Sequence, residues 1–172
     1  MSCFSGGWGG RGLLGWGHVM LKKIFLPSDD SDLTSMALFV ARLWFGLAML
    51  FNHGFAKLAN YSDLAATFPD PLGLGHGLTL GLVIFAEVLG ALLLTVGLCT
   101  RLAALVLVID MFVAFLMVHK TELSGQNNGE LAFLYLAGYV ILVIAGGGLF
   151  SLDTVVFAGN GRSARREAKA GS

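Results

Sequence analysis

Four long apolar runs limit what this chain can fold into more than any other feature. They extend from about Ser35 to Leu58, Leu78 to Cys99, Arg101 to His119 and Leu131 to Phe150. A helix rises about 1.5 Å per residue, so about twenty apolar residues cross the roughly 30 Å hydrocarbon core of a bilayer. Membrane-spanning strands are about ten residues long and alternate polar with apolar side chains, a pattern absent here. Composition agrees: 56% of the 172 residues are hydrophobic and 13% charged, with a mean hydropathy of +0.77. Soluble domains sit near 45–50% apolar with about a quarter of residues charged. The expected fold is all-α: an integral membrane four-helix bundle, antiparallel, with helices over about 35–58, 78–99, 101–119 and 131–150 inside a domain covering 33–157.

The flanks read differently. Residues 1–20 are rich in Gly and Trp and show no steady period. They are expected to be a flexible extension within a cytoplasmic lead-in covering 1–32, with Met20 as an alternative start. Residues 158–172 read as a disordered basic tail. Thr100-Arg101 is expected to form a tight hairpin between the second and third helices, and Ser62 to cap a short helix ending at Phe68. Ser151-Leu152-Asp153 looks like the cap of one more apolar turn. Cys3 and Cys99 form no CxxC pair, and Cys99 reads as a buried inert thiol.

Cytoplasmic loops collect Lys and Arg. Arg11, Lys22, Lys23, Arg101, Arg162, Arg165, Arg166 and Lys169 fall on one side of the expected bundle, and Lys57 and Lys120 on the other. Both termini are therefore expected on the cytoplasmic side. The zero net charge gives no sign of a nucleic-acid partner. The partner expected from this composition is the lipid bilayer.

Ionisable side chains at membrane depth are costly unless partnered, and are functional candidates by default. Arg42, Glu87 and Asp110 lie inside the first three runs. Their depths predict that Arg42 pairs with one or both acids as a catalytic charge and proton site. Two carboxylates and one guanidinium cannot all be charged cheaply there, so a shared proton is expected. A static polar staple between helices is the alternative. Arg42, Gly46, Met49, His53 and Lys57 advance by three or four along one stripe of the first helix. Ala86 and Gly90 make a small-xxx-small pair for close helix contact. Asp110, Ala114, Met117 and Thr121 share a face, with His119 on the opposite side. His53, Lys57 and Glu130, with Asn52, Glu122, Gln126, Asn127 and Asn128, form a candidate outer polar pocket. No HExxH sequence or pair of histidines one turn apart occurs, so no metal site is expected.

The run ARLWFGLAMLFNHGFAKL places Arg42, Gly46, Gly54, Lys57 and Leu58 in an order that resembles the opening helix of the DoxX family. EVLGALLLTVGLCTRLAAL is similar to that family's second block, through Glu87, Gly90, Gly97, Thr100 and Arg101. GGGLFSLD is similar to its ending, through Gly146, Gly148, Ser151, Leu152 and Asp153. The likeness covers about Ala37 to Asp153, and Asp110 departs from it. The resemblance implies a small, multi-pass bacterial inner-membrane protein. It also implies membership of a quinone-linked redox or redox-stress complex, with other membrane or redox subunits as partners.

Three functions follow as expectations. The first is a membrane subunit of a quinone-linked redox system, a possible quinone oxidoreductase subunit. Such a subunit has no redox centre visible in its own chain, takes quinone as its possible cofactor and receives electrons from a partner. The second is a non-catalytic scaffold subunit. The third is a small proton-coupled transporter, disfavoured because no inverted repeat or broken helix is apparent.

Overall fold

The computed structural model describes residues 32–125 and 128–156. The expectations for the N-terminal extension, Cys3, Met20, Gln126, Asn127 and the basic tail lie outside those residues. Helix α1 spans Asp32–Ala59, α2 is the short Tyr61–Leu64, α3 spans His76–Val96 and α4 Thr100–Val118, and α5 spans Glu130–Ala145. A last helical turn covers 152–156. No strand occurs among the described residues. Helices α1, α3 and α4 are long and apolar enough to cross a membrane. Helix α5, at 16 residues, is apolar but shorter.

The four longer helices pack around one core that includes Leu38, Met49, Leu94, Leu107, Tyr139 and Leu142. Helix α4 lies along α5, and α1 along the second half of α3. Gly90 permits the approach of α3 to α4, since a Cβ there would stand 3.3 Å from Leu107. Phe45 fills the space over Gly138 on α5 and meets Tyr135 and Tyr139 edge-on. The outward faces are apolar as well: Trp44 is 74% and Ile144 72% exposed. Such a surface suits lipid and would aggregate in water.

Several boundaries differ from expectation for local reasons. The α3–α4 turn is Gly97–Cys99, and Thr100 and Arg101 are already helical. Gly97 has a left-handed φ of 76°. Leu98 N donates to Leu93 O at 3.0 Å and Gly97 N to Leu94 O at 3.2 Å, the double bond of a Schellman stop. Helix α5 ends at Ala145 rather than Phe150, because Gly146 and Gly148 take φ of 83° and 71° and the glycine run turns the chain away. Helix α2 starts at Tyr61, without a side-chain cap from Ser62. Ser151 does cap the last turn, accepting from Thr154 N at 3.4 Å. Cys99 is a half-buried free thiol.

Three wide turns interrupt the α-helical ladder: Leu50–Gly54 in α1, Ala86–Gly90 in α3 and Ala114–Val118 in α4. Each is a π-turn, in which an N–H reaches the fifth carbonyl back; His119 N donates to Ala114 O at 2.9 Å. Single π-turns inside α-helices are frequent at functional sites.

Candidate functional site

The buried charges sort into two clusters, and the expected pairing of Arg42 with Glu87 or Asp110 does not occur. Arg42 is fully buried. Its Nη2 donates to Phe150 O at 2.8 Å, and its Nη1 lies 3.5 Å from Leu94 O and Thr95 O. The guanidinium stands over the Phe39 ring, 5.6 Å from its centre. The carboxylate acting on it is Asp153, itself buried. Asp153 accepts from Cys99 N at 2.6 Å and Thr100 N at 2.9 Å, taking the first orphan amides of α4. Asp153 N in turn donates to Gly97 O at 2.9 Å. A Cβ on Gly97 would collide with Arg42 Nη1, and one on Gly147 would stand 2.7 Å from Thr100 Oγ1 and from Ser151. This cluster ties residues 150–153 to the α3–α4 turn, with Gly97 packed directly against the guanidinium.

The second cluster forms beside the π-turns of α1 and α3, which pack against each other, and its cavity reaches the π-turn of α4. Gly54 closes the π-turn of α1 and lies against Glu87 in the π-turn of α3. A Cβ on Gly54 would stand 2.9 Å from Val88 and 3.1 Å from the Glu87 carbonyl. This close approach brings Lys57, one turn farther on, into an ion pair with Glu87 Oε1. Glu87 is 2% exposed and Lys57 23%. Glu87 Oε2 and Asp110 Oδ2 are both buried without a hydrogen-bond partner. Two carboxyls and one ammonium therefore face each other, and electroneutrality asks for one shared proton.

These groups wall a cavity of about 210 Å³ whose lining includes Lys57, Glu87, Asp110, His119, Phe68 and Thr79. The inclusion of His119 corrects the sequence reading that set it opposite Asp110. Nine residues of plain α-helix turn through about 900°, hence to opposite faces. The π-turn between them accommodates one extra residue, leaving an offset of about 80°.

The 60–75 connection covers this cavity. Asp70 accepts from Leu74 N at 3.0 Å, Gly75 N at 2.7 Å and Thr79 Oγ1 at 2.7 Å. The Thr79 hydroxyl, the nearby amides and His76 hold its carboxyl below the usual range, Thr79 foremost. Phe68 O meets His76 Nδ1 at 2.6 Å. Phe68 and Pro69 thereby come to line the cavity.

The expected outer pocket of His53, Lys57 and Glu130 is not assembled. His53 meets Tyr135 edge-on at 5.6 Å between ring centres, and Lys57 belongs to Glu87. Glu130 is exposed at the start of α5, with Asn128 Oδ1 accepting from its backbone N–H at 2.8 Å. Lys57 as the partner of Glu87, and Asp153 as the counter-charge of Arg42, escaped the reading by depth. All four belong to the quoted motifs, and that shared membership was the available signal. Among the described residues no group of three or more His, Cys, Asp or Glu is placed to hold a metal ion.

One of the comparisons with known proteins gives a family. A protein-family model described as DoxX matches residues 37–120, the stretch that carries Arg42, Lys57, Glu87, Asp110 and His119. An uncharacterized protein of Haemophilus influenzae is 32% identical over 114 residues, which is 63% of this chain and 83% of that protein. No solved structure matches the chain. The family match covers the Lys57–Glu87–Asp110 cluster and the Arg42 side of the other cluster, and the chain belongs to the DoxX family of membrane proteins.

Proposed function

We propose that this protein is a membrane subunit of a quinone-linked redox complex, with the Lys57–Glu87–Asp110 cavity as its quinone site. In this reading α5 is a fourth span, and both termini face the cytoplasm of a bacterial cell bounded by this inner membrane. The observation that carries the proposal is the pair of unpartnered carboxylate oxygens, Glu87 Oε2 and Asp110 Oδ2, in the wall of one small cavity on apolar helices. A buried polar atom without a partner costs about 1–3 kcal/mol, a cost that a ligand with complementary polar atoms would relieve.

The residues fit a quinone ring. The cavity is smaller than the roughly 300–1,000 Å³ of drug-sized sites, which suits a single ring. Its walls are mostly carbon, with Met111, Val113, Ala114 and Val118 against the face of α4. A bound quinone would supply two-electron, two-proton chemistry. The chain's part would be to hold and hand over protons: the Lys57 ammonium would serve as a donor to the ring, and the proton shared by Glu87 and Asp110 would be held at their carboxyl oxygens. His119, in the wall of the same cavity, would exchange protons with the loop side. The electrons come from a partner subunit.

Native mass spectrometry of the chain, gently extracted from its own membrane, tests this. The proposal expects a partner carrying a redox centre and a bound quinone. A homo-oligomer that is free of both and shows no quinone-dependent turnover would overturn it.

A further inference from the structure

A second cavity, about 230 Å³, adjoins the first between α3 and α4. Its own walls are Leu72, Leu74, Leu82, Ala86, Val106 and Ile109. Pro71, Thr79, Val83, Asp110 and Val113 belong to both cavities, and Asp110 is the ionisable group in that shared partition. One side of the partition thus holds unpaired carboxylate oxygens, and the other is carbon apart from Thr79 and Asp110. At the mouth, Leu82 is 51% and Ile109 57% exposed, on faces that turn away from the helix core.

We propose that the ligand is an amphiphile that enters sideways from the hydrocarbon, its polar ring in the Glu87–Asp110 cavity and its apolar chain in this groove. The inference rests on the reading of the first cavity as a ring site, and adds the class of ligand and its route. A water-borne solute would need no apolar groove adjoining its site. The chain gains little energy in the groove over lipid, because the two are equally apolar. The groove therefore acts as a portal and an alignment slot, and blocking it acts sterically on tailed ligands.

The test uses the full-length protein in phospholipid nanodiscs, with decylubiquinone as the tailed probe and duroquinone as the tail-less one. Ile109→Trp fills the groove, and Leu82→Trp, on the facing wall, serves if the first variant does not fold. Ile141→Trp, on the exposed face of α5, is the control. The proposal expects groove filling to raise the Kd for decylubiquinone by about tenfold or more while duroquinone stays within about twofold, and the control to move neither. A parallel change for both quinones, or no change for either, overturns the portal and leaves the ring site standing. Failure of the ring site looks different: wild type binds neither quinone, or Glu87→Gln leaves duroquinone binding unchanged. That result removes the amphiphile proposal as well.

Discussion

Arg42 and Glu87 are both buried charges on apolar helices, yet their surroundings are finished differently. Arg42 is gripped by backbone carbonyls and pressed by glycines, with Asp153 spanning to the start of α4. Glu87 has an ion-pair partner for one oxygen and an unfilled need at the other, beside a second carboxyl and a cavity. The stretches of α1 and α3 beside Arg42 keep the regular α ladder, whereas the same helices and α4 carry π-turns nearer Glu87. Neither cluster is perfectly satisfied, since Arg42 Nε and Thr100 Oγ1 also lack partners. The difference lies in what stands beside the charge: Gly97 and backbone carbonyls pack against Arg42, and a cavity adjoins Glu87. In the proposed reading, an unpaired atom that faces a cavity serves recognition, and a charge packed against glycine and carbonyls serves as a structural tie.

That contrast can be broken most forcefully at Arg42. Arg42→Leu strips the part-buried Phe150 carbonyl of its charged donor, and leaving such a group unpaired costs about 1–3 kcal/mol. Thermal unfolding in detergent should show a marked loss of stability. An unchanged unfolding temperature would remove Arg42 from the structural side of the comparison.

Glu87→Gln should do the reverse. Quinone turnover by the complex should fall by about a hundredfold or more, the usual contribution of a positioned proton donor or acceptor, while assembly persists. Retained turnover would count against the cavity as the proton site.

Gly54→Ala sits between these extremes. The added methyl meets Val88 and the Glu87 carbonyl and pushes α1 off α3, at an overpacking cost of about 1–3 kcal/mol. The Lys57–Glu87 pair should loosen, and turnover should fall more than stability does. A variant with wild-type turnover would show that helix approach at Gly54 does not set the pair.

The smallest effect belongs to the Asp70 loop. The Asp70 carboxyl is held below its ordinary value of about 4. The ordering it contributes is present above that ordinary value and is lost as pH falls through the lowered one. Hydrogen exchange at the Leu74 and Gly75 amides should therefore lose protection at acid pH. Asp70→Asn should flatten that pH dependence, and a profile unchanged by the substitution would contradict the role.

The difference between the clusters also sets how much was readable beforehand. Helix positions followed from apolar runs, because the need for lipid-facing carbon writes itself into composition. The ends of α3 and α5 did not, because Gly97, Gly146 and Gly148 stop helices through left-handed backbone that an apolar window hides. Depth alone placed Arg42, Glu87 and Asp110 together, but Arg42 turned toward the chain end and Glu87 toward Lys57. His119 was missed for a simpler reason. Regular periodicity fails across a π-turn, and no composition cue at Ala114–Val118 marks one. The cavity itself depends on the 60–75 connection folding over α3 and α4 through Asp70, a tertiary event beyond the reach of periodicity.

Photoaffinity labelling with an azidoquinone, followed by peptide mass spectrometry, tests the central claim most directly. If the cluster around Glu87 is the ligand site and the one around Arg42 a structural tie, the label should fall on peptides spanning 68–87 and 110–119, and excess unlabelled quinone should displace it. Specific labelling on peptides spanning 33–45 or 146–156, with the Glu87 region unmarked, would contradict the account.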